Sequence, residues 1–129
     1  DAYALDGIKQ EQIHYLYAPT HLNPTYEYGV SFERGTYVDY GDRRQVFISG
    51  TASINNKGEI VHPGDIRKQT LRMWENVETL LKEAECTYEE RFPDIPKVYL
   101  LAPVCRPGWL IEMECMAVKP INDTRYAAY

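Results

Sequence analysis

The sequence predicts an α+β domain in which one helix packs on an antiparallel sheet. Three observations support this class: a hairpin pattern in residues 36–54, an amphipathic helical pattern in residues 65–85, and a second hairpin pattern in residues 97–118. Two hairpins separated by a helix are typical of a two-layer sandwich. A chain of 129 residues is long enough to bury a core without disulfides or a structural metal.

The first hairpin pattern joins residues 36–40 to residues 45–54. Simple alternation along the second strand places Ser49 and Thr51 on one face and Gly50 on the other. Small hydroxyl side chains suit the lining of a site, and a glycine within a strand often marks close approach by a ligand. Ser49, Gly50 and Thr51 are therefore candidate binding residues.

The helix is predicted over residues 65–85, with Asp65 as its N-cap. Apolar side chains recur there at helical spacing, which predicts the face that packs on the sheet. This stripe contains Ile66, Thr70, Met73, Val77, Leu80 and Ala84, with Trp74 and Leu81 beside it.

The closing hairpin is predicted from residues 97–104 and 109–118, joined by a turn at residues 106–108. Alternation places Glu112 and Glu114 on one face of the last strand, between Leu110 and Met116. Apolar neighbours remove hydration from a carboxylate, which raises its pKa and suits a general acid. On spacing alone, the alternative that this face meets water or forms ion pairs at a subunit contact is favoured.

Composition excludes several classes of protein. The 14 Lys and Arg residues against 19 Asp and Glu residues give a net charge of -5, which disfavours binding to nucleic acid. No apolar run is long enough to cross a membrane. The three cysteines lack zinc-type spacing and indicate reduced thiols in the cytoplasm. The histidines show no metal spacing either, so we expect no metal and no cofactor.

Two charged segments have a simple interpretation. Arg43 and Arg44 are most simply solvated charges, with one structural anion contact as the alternative.

Cys105 adjoins Arg106, and a neighbouring cation lowers a thiol pKa. Because no histidine is near in sequence, we interpret Cys105 as a small half-buried residue beside a turn.

The domain organisation follows from these elements. Residues 1–34 are rich in Tyr and Pro and predict an arm that packs on another surface, with residues 13–17 suited to a short strand. Residues 35–120 form the domain itself, and residues 121–129 form a tail. Since the sequence starts at Asp1 rather than at Met, we expect a longer product with a segment upstream.

Several ordered blocks together resemble the Rid (YjgF-like) family. The blocks are residues 46–53, 58–61, 64–66 with Gln69, Thr70 and Asn76, and 110–118, so the resemblance covers residues 35–118. It implies a chorismate-mutase-like α+β fold and a homotrimer with ligand clefts between subunits. Such proteins are often labelled endoribonuclease L-PSP or translation inhibitor. The activity that the resemblance implies is hydrolysis of reactive enamines or imines.

A finer resemblance is to the catalytic half of chorismatases, which release pyruvate from chorismate. It rests on residues 28–35, 50–53, 64–65 with Gln69, and 102–106 followed by Glu112. It implies that Glu112 donates a proton to an enol ether, that Cys105 lines the pocket, and that Arg106 binds a substrate carboxylate. It also places Phe32 among the substrate-binding residues.

Two departures from the Rid pattern affect the expected chemistry. Lys97 stands where deaminating members carry an arginine, and lysine lacks the bidentate fork that clamps a carboxylate. Lys97 still supplies positive charge and is a candidate substrate-binding residue, but the missing fork disfavours deamination. The family also has a strand and a helix before the last hairpin, whereas residues 86–93 leave no room for them here.

Two function classes remain. The first is an enzyme acting on a small enol-ether or enamine carboxylate at a cleft between subunits. The second is a non-catalytic ligand-binding or regulatory domain of the same fold, favoured by Lys97 and the missing segment. A nuclease activity rests on family labels alone and conflicts with the acidic charge balance.

Overall fold

The computed structural model describes residues 5–87 and 96–128, which form a four-stranded antiparallel sheet and one long helix. The strands β1 (Ile13–Leu16), β2 (Gly35–Asp39), β3 (Arg43–Ala52) and β4 (Glu112–Pro120) lie in the order β1-β2-β3-β4. The helix α1 (Ile66–Glu83) follows β3 in the chain. The predicted α+β class, with a helix layer on one sheet, is confirmed.

Helix α1 begins where the sequence predicts. Asp65 is its N-cap, and the carboxylate accepts a hydrogen bond of 3.1 Å from the Lys68 backbone N–H. The centre of the predicted stripe is buried, but Ile66 is 46% exposed. The buried face instead includes two polar side chains, Gln69 and Asn76, both 0% exposed. Asn76 donates to the carbonyls of Ala52 and Ile54, which fastens the helix to the end of β3.

The core lies between α1 and one face of the sheet. Paired residues of antiparallel strands point to the same face, so the register identifies the residues beneath the helix. The buried cluster contains Leu16, Ala18, Leu22, Val46, Ile48, Ile54, Val77, Leu80, Leu81, Ala84 and Cys86. Within the described residues, no helix has both the length and the apolar content needed to span a bilayer.

A β-bulge in β3 changes which side chains face the core. Ile48 pairs with Cys115 and Thr51 pairs with Met113, so two residues of β3 oppose one residue of β4. The extra residue shifts the alternation by one position. Thr51 therefore lies on the helix face and is 1% exposed. The prediction that Ser49 and Thr51 share a face is wrong for this reason.

The first arm of the predicted closing hairpin is not a strand. Residues 96–104 form no strand, and residues 98–101 are at least 83% exposed. A β-rich sequence becomes a strand only where a neighbour supplies its hydrogen bonds, and the structure pairs β4 with β3 alone among the described residues. The expected junction at residues 86–93 falls mostly outside the described residues, at positions 88–93.

The expected arm contributes a strand to the sheet. Residues predicted as a short strand form β1, in which Leu16 pairs with Gly35 of β2. The C-terminal tail returns to the turn between β2 and β3, where the Gly41 N–H donates to the Ala127 carbonyl at 2.9 Å. The Asp123 N–H donates to the Gly41 carbonyl at 3.0 Å.

Arg44 is not a solvated charge, so the interpretation from sequence is wrong for this residue. Its side chain is 12% exposed and makes a two-pronged ion pair with Asp39, at 2.6 and 2.9 Å. It also donates to the Ala84 carbonyl at 2.8 Å and stacks over Tyr37. These contacts join β2, β3 and the end of α1. Arg43 instead pairs with Asp42, whose side chain is 54% exposed.

Candidate functional site

The candidate site centres on Glu112 and the bulge of β3. Glu112 is the first residue of β4 and pairs with Ala52. Its carboxylate lies over Gly50, where an added Cβ would overlap Oε1 of Glu112. The carboxylate therefore occupies room that exists because residue 50 has no side chain.

Burial changes the acid strength of Glu112. Partial burial raises the pKa of its carboxyl group above the ordinary value, and the negative charge of Glu114 raises it further. Glu114 is exposed, as expected for the next residue on that face. The direction agrees with the expectation drawn from the apolar neighbours. A carboxyl group with a raised pKa keeps its proton to higher pH, which suits proton donation.

Ser49 connects the bulge to the segment before β2. Its backbone N–H donates to the Arg34 carbonyl at 3.1 Å, and its hydroxyl donates to the Glu33 carbonyl at 2.5 Å. The Thr51 hydroxyl donates to the Ser49 carbonyl at 2.9 Å. Because Thr51 is 1% exposed, its contribution to the site is to shape the bulge. Ser49 is partly exposed, and its hydroxyl oxygen keeps both lone pairs as acceptors for a ligand.

Phe32 lies next to this connection in the chain. It is 37% exposed, and its carbonyl accepts a hydrogen bond of 2.8 Å from the Thr25 hydroxyl. The Arg34 guanidinium lies 5.3 Å from the centre of the Phe32 ring. Phe32 is thus held on the segment that Ser49 binds.

Arg106 lies in the loop that leads into β4. It donates to the Gly58 carbonyl at 3.2 Å, and its guanidinium is 5.4 Å from the Trp109 ring centre. Gln69 fixes the rest of this loop, because it donates to the Gly108 carbonyl and accepts from the Leu110 N–H, both at 2.9 Å.

Arg34 was missed by sequence reasoning. It is 6% exposed, and burial together with the charge of Arg106 lowers its pKa to about 10. The sequence offers no periodic pattern around Arg34 that signals its burial.

Lys97 and Cys105 lie in the exposed stretch before β4. The contacts that join Glu112, Gly50 and Ser49 include neither residue. Of the predicted site residues, the structure thus brings Glu112, Gly50 and Ser49 together at the bulge.

A separate cleft of about 510 Å³ lies beside the site. Glu112 does not line it, but the segment that binds Ser49 does. Its lining residues are Tyr17, Pro19, Leu22, Asn23, Pro24, Thr25, Tyr26, Glu33 and Arg34.

Metal ligands are not grouped in the described part of the chain: no three His, Cys, Asp or Glu side chains there are placed to share an ion. In comparisons with known proteins, no family model matches the chain and no curated protein matches it.

Proposed function

We propose that this protein is an enzyme acting on a small carboxylate that carries an enol ether or an enamine, in the manner of chorismatases and Rid proteins. The observation that carries the proposal is the Glu112 carboxyl group, half-buried over Gly50 with a raised pKa. Both substrate types require a proton on carbon before water attacks, and a carboxylic acid that stays neutral is the group that supplies it.

The chemistry balances without a cofactor. Glu112 transfers its proton to the terminal carbon of an enolpyruvyl ether, which leaves an oxocarbenium carbon bonded to the ether oxygen. Water adds to that carbon, and the hemiketal collapses to pyruvate and an alcohol. With an enamine, the same proton transfer gives an iminium, which water converts to a ketone and ammonia. A proton from water restores Glu112.

The neighbouring groups have proposed roles in holding the substrate. Ser49 offers a hydroxyl oxygen beside the bulge, and Phe32 offers an apolar ring. Arg106 supplies positive charge for the substrate carboxylate from the loop before β4. Cys105 and Lys97 remain candidate pocket residues contributed by the exposed stretch.

We also propose that the active form is a homotrimer in the cytoplasm. The sheet face opposite α1 is largely apolar, and Glu112 lies on it, so a subunit packed there would close the site. Apolar members of this face are Ile13, Tyr15, Val38, Phe47, Met116 and Val118. The three cysteines are free thiols, which supports a reducing compartment. Light scattering at micromolar concentration tests the assembly, and a monomer would contradict it.

An assay of two substrates tests the activity. Pyruvate release from chorismate is followed by coupling to lactate dehydrogenase, and ammonia release is followed from an enamine generated in solution. Turnover of either one supports the enzyme proposal. No turnover of either by the folded protein would contradict it.

The second candidate is a non-catalytic ligand-binding or regulatory domain. The observation that favours it is the position of the described cleft, which Glu112 does not line. A domain of this kind would bind a small carboxylate with no release of pyruvate or ammonia, which calorimetry beside the same assay distinguishes.

A further inference from the structure

The cleft next to the bulge has a surface of rings over an apolar floor. Tyr17 and Tyr26 line it with side chains that are 56% and 76% exposed. Pro19 and Pro24 add two more rings, and Leu22, 1% exposed, lies beneath them. Exposed rings grouped around a cleft are a feature of binding surfaces.

We call this cleft the tyrosine–proline cleft. The chain at Tyr17, which lines it, is bonded to the helix α1. The backbone N–H groups of Tyr17 and Ala18 both donate to the Glu83 carboxylate, at 3.1 and 2.7 Å. The left-handed backbone of Ala18, with φ of 45°, turns the chain there. These bonds position Tyr17 beside the cleft in the free protein.

Polar contacts also hold Asn23, Thr25 and Arg34 in place around the cleft, and those that Arg34 makes are buried. Arg34 donates to the carbonyl and the side-chain oxygen of Asn23, at 2.9 and 3.0 Å. Asn23 in turn donates to the Glu27 carboxylate at 3.1 Å, and the Thr25 hydroxyl donates to the Phe32 carbonyl. A cleft whose walls are already fixed loses little conformational entropy on binding.

The charge around the cleft is mainly negative at its exposed edge. Glu33 lines the cleft and is exposed, and Glu27 is exposed on the adjoining turn. Arg34 also lines the cleft, but it is 6% exposed and bound to Asn23, so the accessible charge is acidic. A ligand with an apolar body and a flanking cation complements this edge.

We propose that the tyrosine–proline cleft binds a proline-rich segment of a partner protein that carries an arginine beside its prolines. A polyproline II helix presents ring faces at regular intervals and is already ordered in solution, so it docks in grooves lined by aromatic rings. Its flanking arginine pairs with Glu33. This binding is independent of the reaction proposed for Glu112.

Fluorescence polarisation with a labelled peptide, Arg-Pro-Leu-Pro-Pro-Leu-Pro, tests the proposal on the full chain. We expect saturable binding, weakened at least about fivefold by Tyr26→Ala or by Tyr17→Ala. Tyr99→Ala is the matched control, because Tyr99 is an 86% exposed tyrosine before β4 that does not line the cleft. Since Tyr26 is largely exposed, its truncation leaves the fold intact, as circular dichroism will verify.

Charge reversal separates the arginine contact from ring packing. Glu33→Lys should weaken binding of the arginine peptide and strengthen binding of a peptide with glutamate in its place. Absence of saturable binding up to about 1 mM would overturn the proposal. So would equal binding by the Tyr26→Ala and Tyr99→Ala variants, or equal binding of a peptide whose prolines are replaced by alanine.

Discussion

The carboxylate of Glu112 occupies the space that a Cβ at Gly50 would take. The two residues meet because β3 carries a bulge between Ile48 and Thr51, which brings the backbone of Gly50 beneath the start of β4. The absence of one side chain thereby creates the half-buried environment in which the acid strength of Glu112 is reduced.

Replacing Gly50 by alanine should displace the Glu112 carboxylate toward solvent. The new methyl group overlaps the carboxylate, so we expect a loss of about 1–3 kcal/mol in the free energy of unfolding. The Glu112 pKa should fall toward its ordinary value, because burial is the larger cause of its elevation. Carbon-detected NMR titration and urea unfolding measure the two effects. Ser49→Ala is the neighbouring control, and an unchanged Glu112 pKa in Gly50→Ala would contradict the overlap.

Replacing Glu114 by glutamine should lower the Glu112 pKa without restoring its ordinary value. The substitution removes a like charge, which is the smaller cause, and leaves the burial that is the larger one. NMR titration of Glu112 in both proteins provides the comparison. Glu75→Gln, on the exposed side of α1, is the control that should leave the Glu112 pKa unchanged. A larger fall in Glu114→Gln than in Gly50→Ala would reverse the assigned order of causes.

The stability contributed by Glu112 should decline as the pH rises. Its pKa in the folded state lies above the ordinary value of 4.5, so the folded state holds the proton more tightly than the unfolded state. This contribution is full below the unfolded pKa and is lost as the pH passes through the folded pKa. Urea unfolding of the wild type and Glu112→Gln over a pH series isolates the effect. The raised pKa would be contradicted if the wild type gained stability relative to Glu112→Gln as the pH rose from the unfolded-state pKa through the folded-state pKa.

The ion pair between Arg44 and Asp39 should be far more important for stability than the one formed by Arg43. Arg44→Ala leaves Asp39 buried without its partner, and we expect a loss of about 3–5 kcal/mol in the free energy of unfolding. Arg44→Lys keeps the charge but not the two-pronged geometry, so an intermediate loss is expected. Arg43→Ala removes a pair with the exposed Asp42 and should cost at most about 1 kcal/mol. Equal losses in Arg43→Ala and Arg44→Ala, measured by urea unfolding, would contradict this assignment.

The predictable parts of the fold are those that local patterns determine. Asp65 caps α1 as expected because the capping signal depends on neighbouring residues alone. Alternation also predicts that Glu114 lies on the face of β4 opposite to Met113 and Cys115. This prediction is confirmed because alternation holds wherever a strand is regular. The sequence also predicts the direction of the Glu112 pKa shift, but the neighbours behind that prediction, Leu110 and Met116, are 46% and 53% exposed, and the carboxylate is half-buried over Gly50 instead.

The parts that were not predicted depend on residues distant in sequence. The bulge in β3 is defined against β4, so the burial of Thr51 cannot be obtained from alternation in β3. The burial of Gln69 depends on hydrogen bonds to Gly108 and Leu110, about forty positions later. The bond from Arg44 to the Ala84 carbonyl likewise joins residues forty positions apart, whereas its partner Asp39 lies only five positions away across the β2–β3 hairpin.

The rate of pyruvate release from chorismate by Glu112→Gln, beside Glu114→Gln and the wild type, tests the central claim most directly. Glutamine keeps the size of the side chain and removes the proton that is transferred. We predict turnover by the wild type, a loss of at least about a hundredfold in kcat for Glu112→Gln, and most of the activity retained by Glu114→Gln. Turnover by a folded Glu112→Gln variant at the wild-type rate would contradict the assignment of Glu112 as the acid.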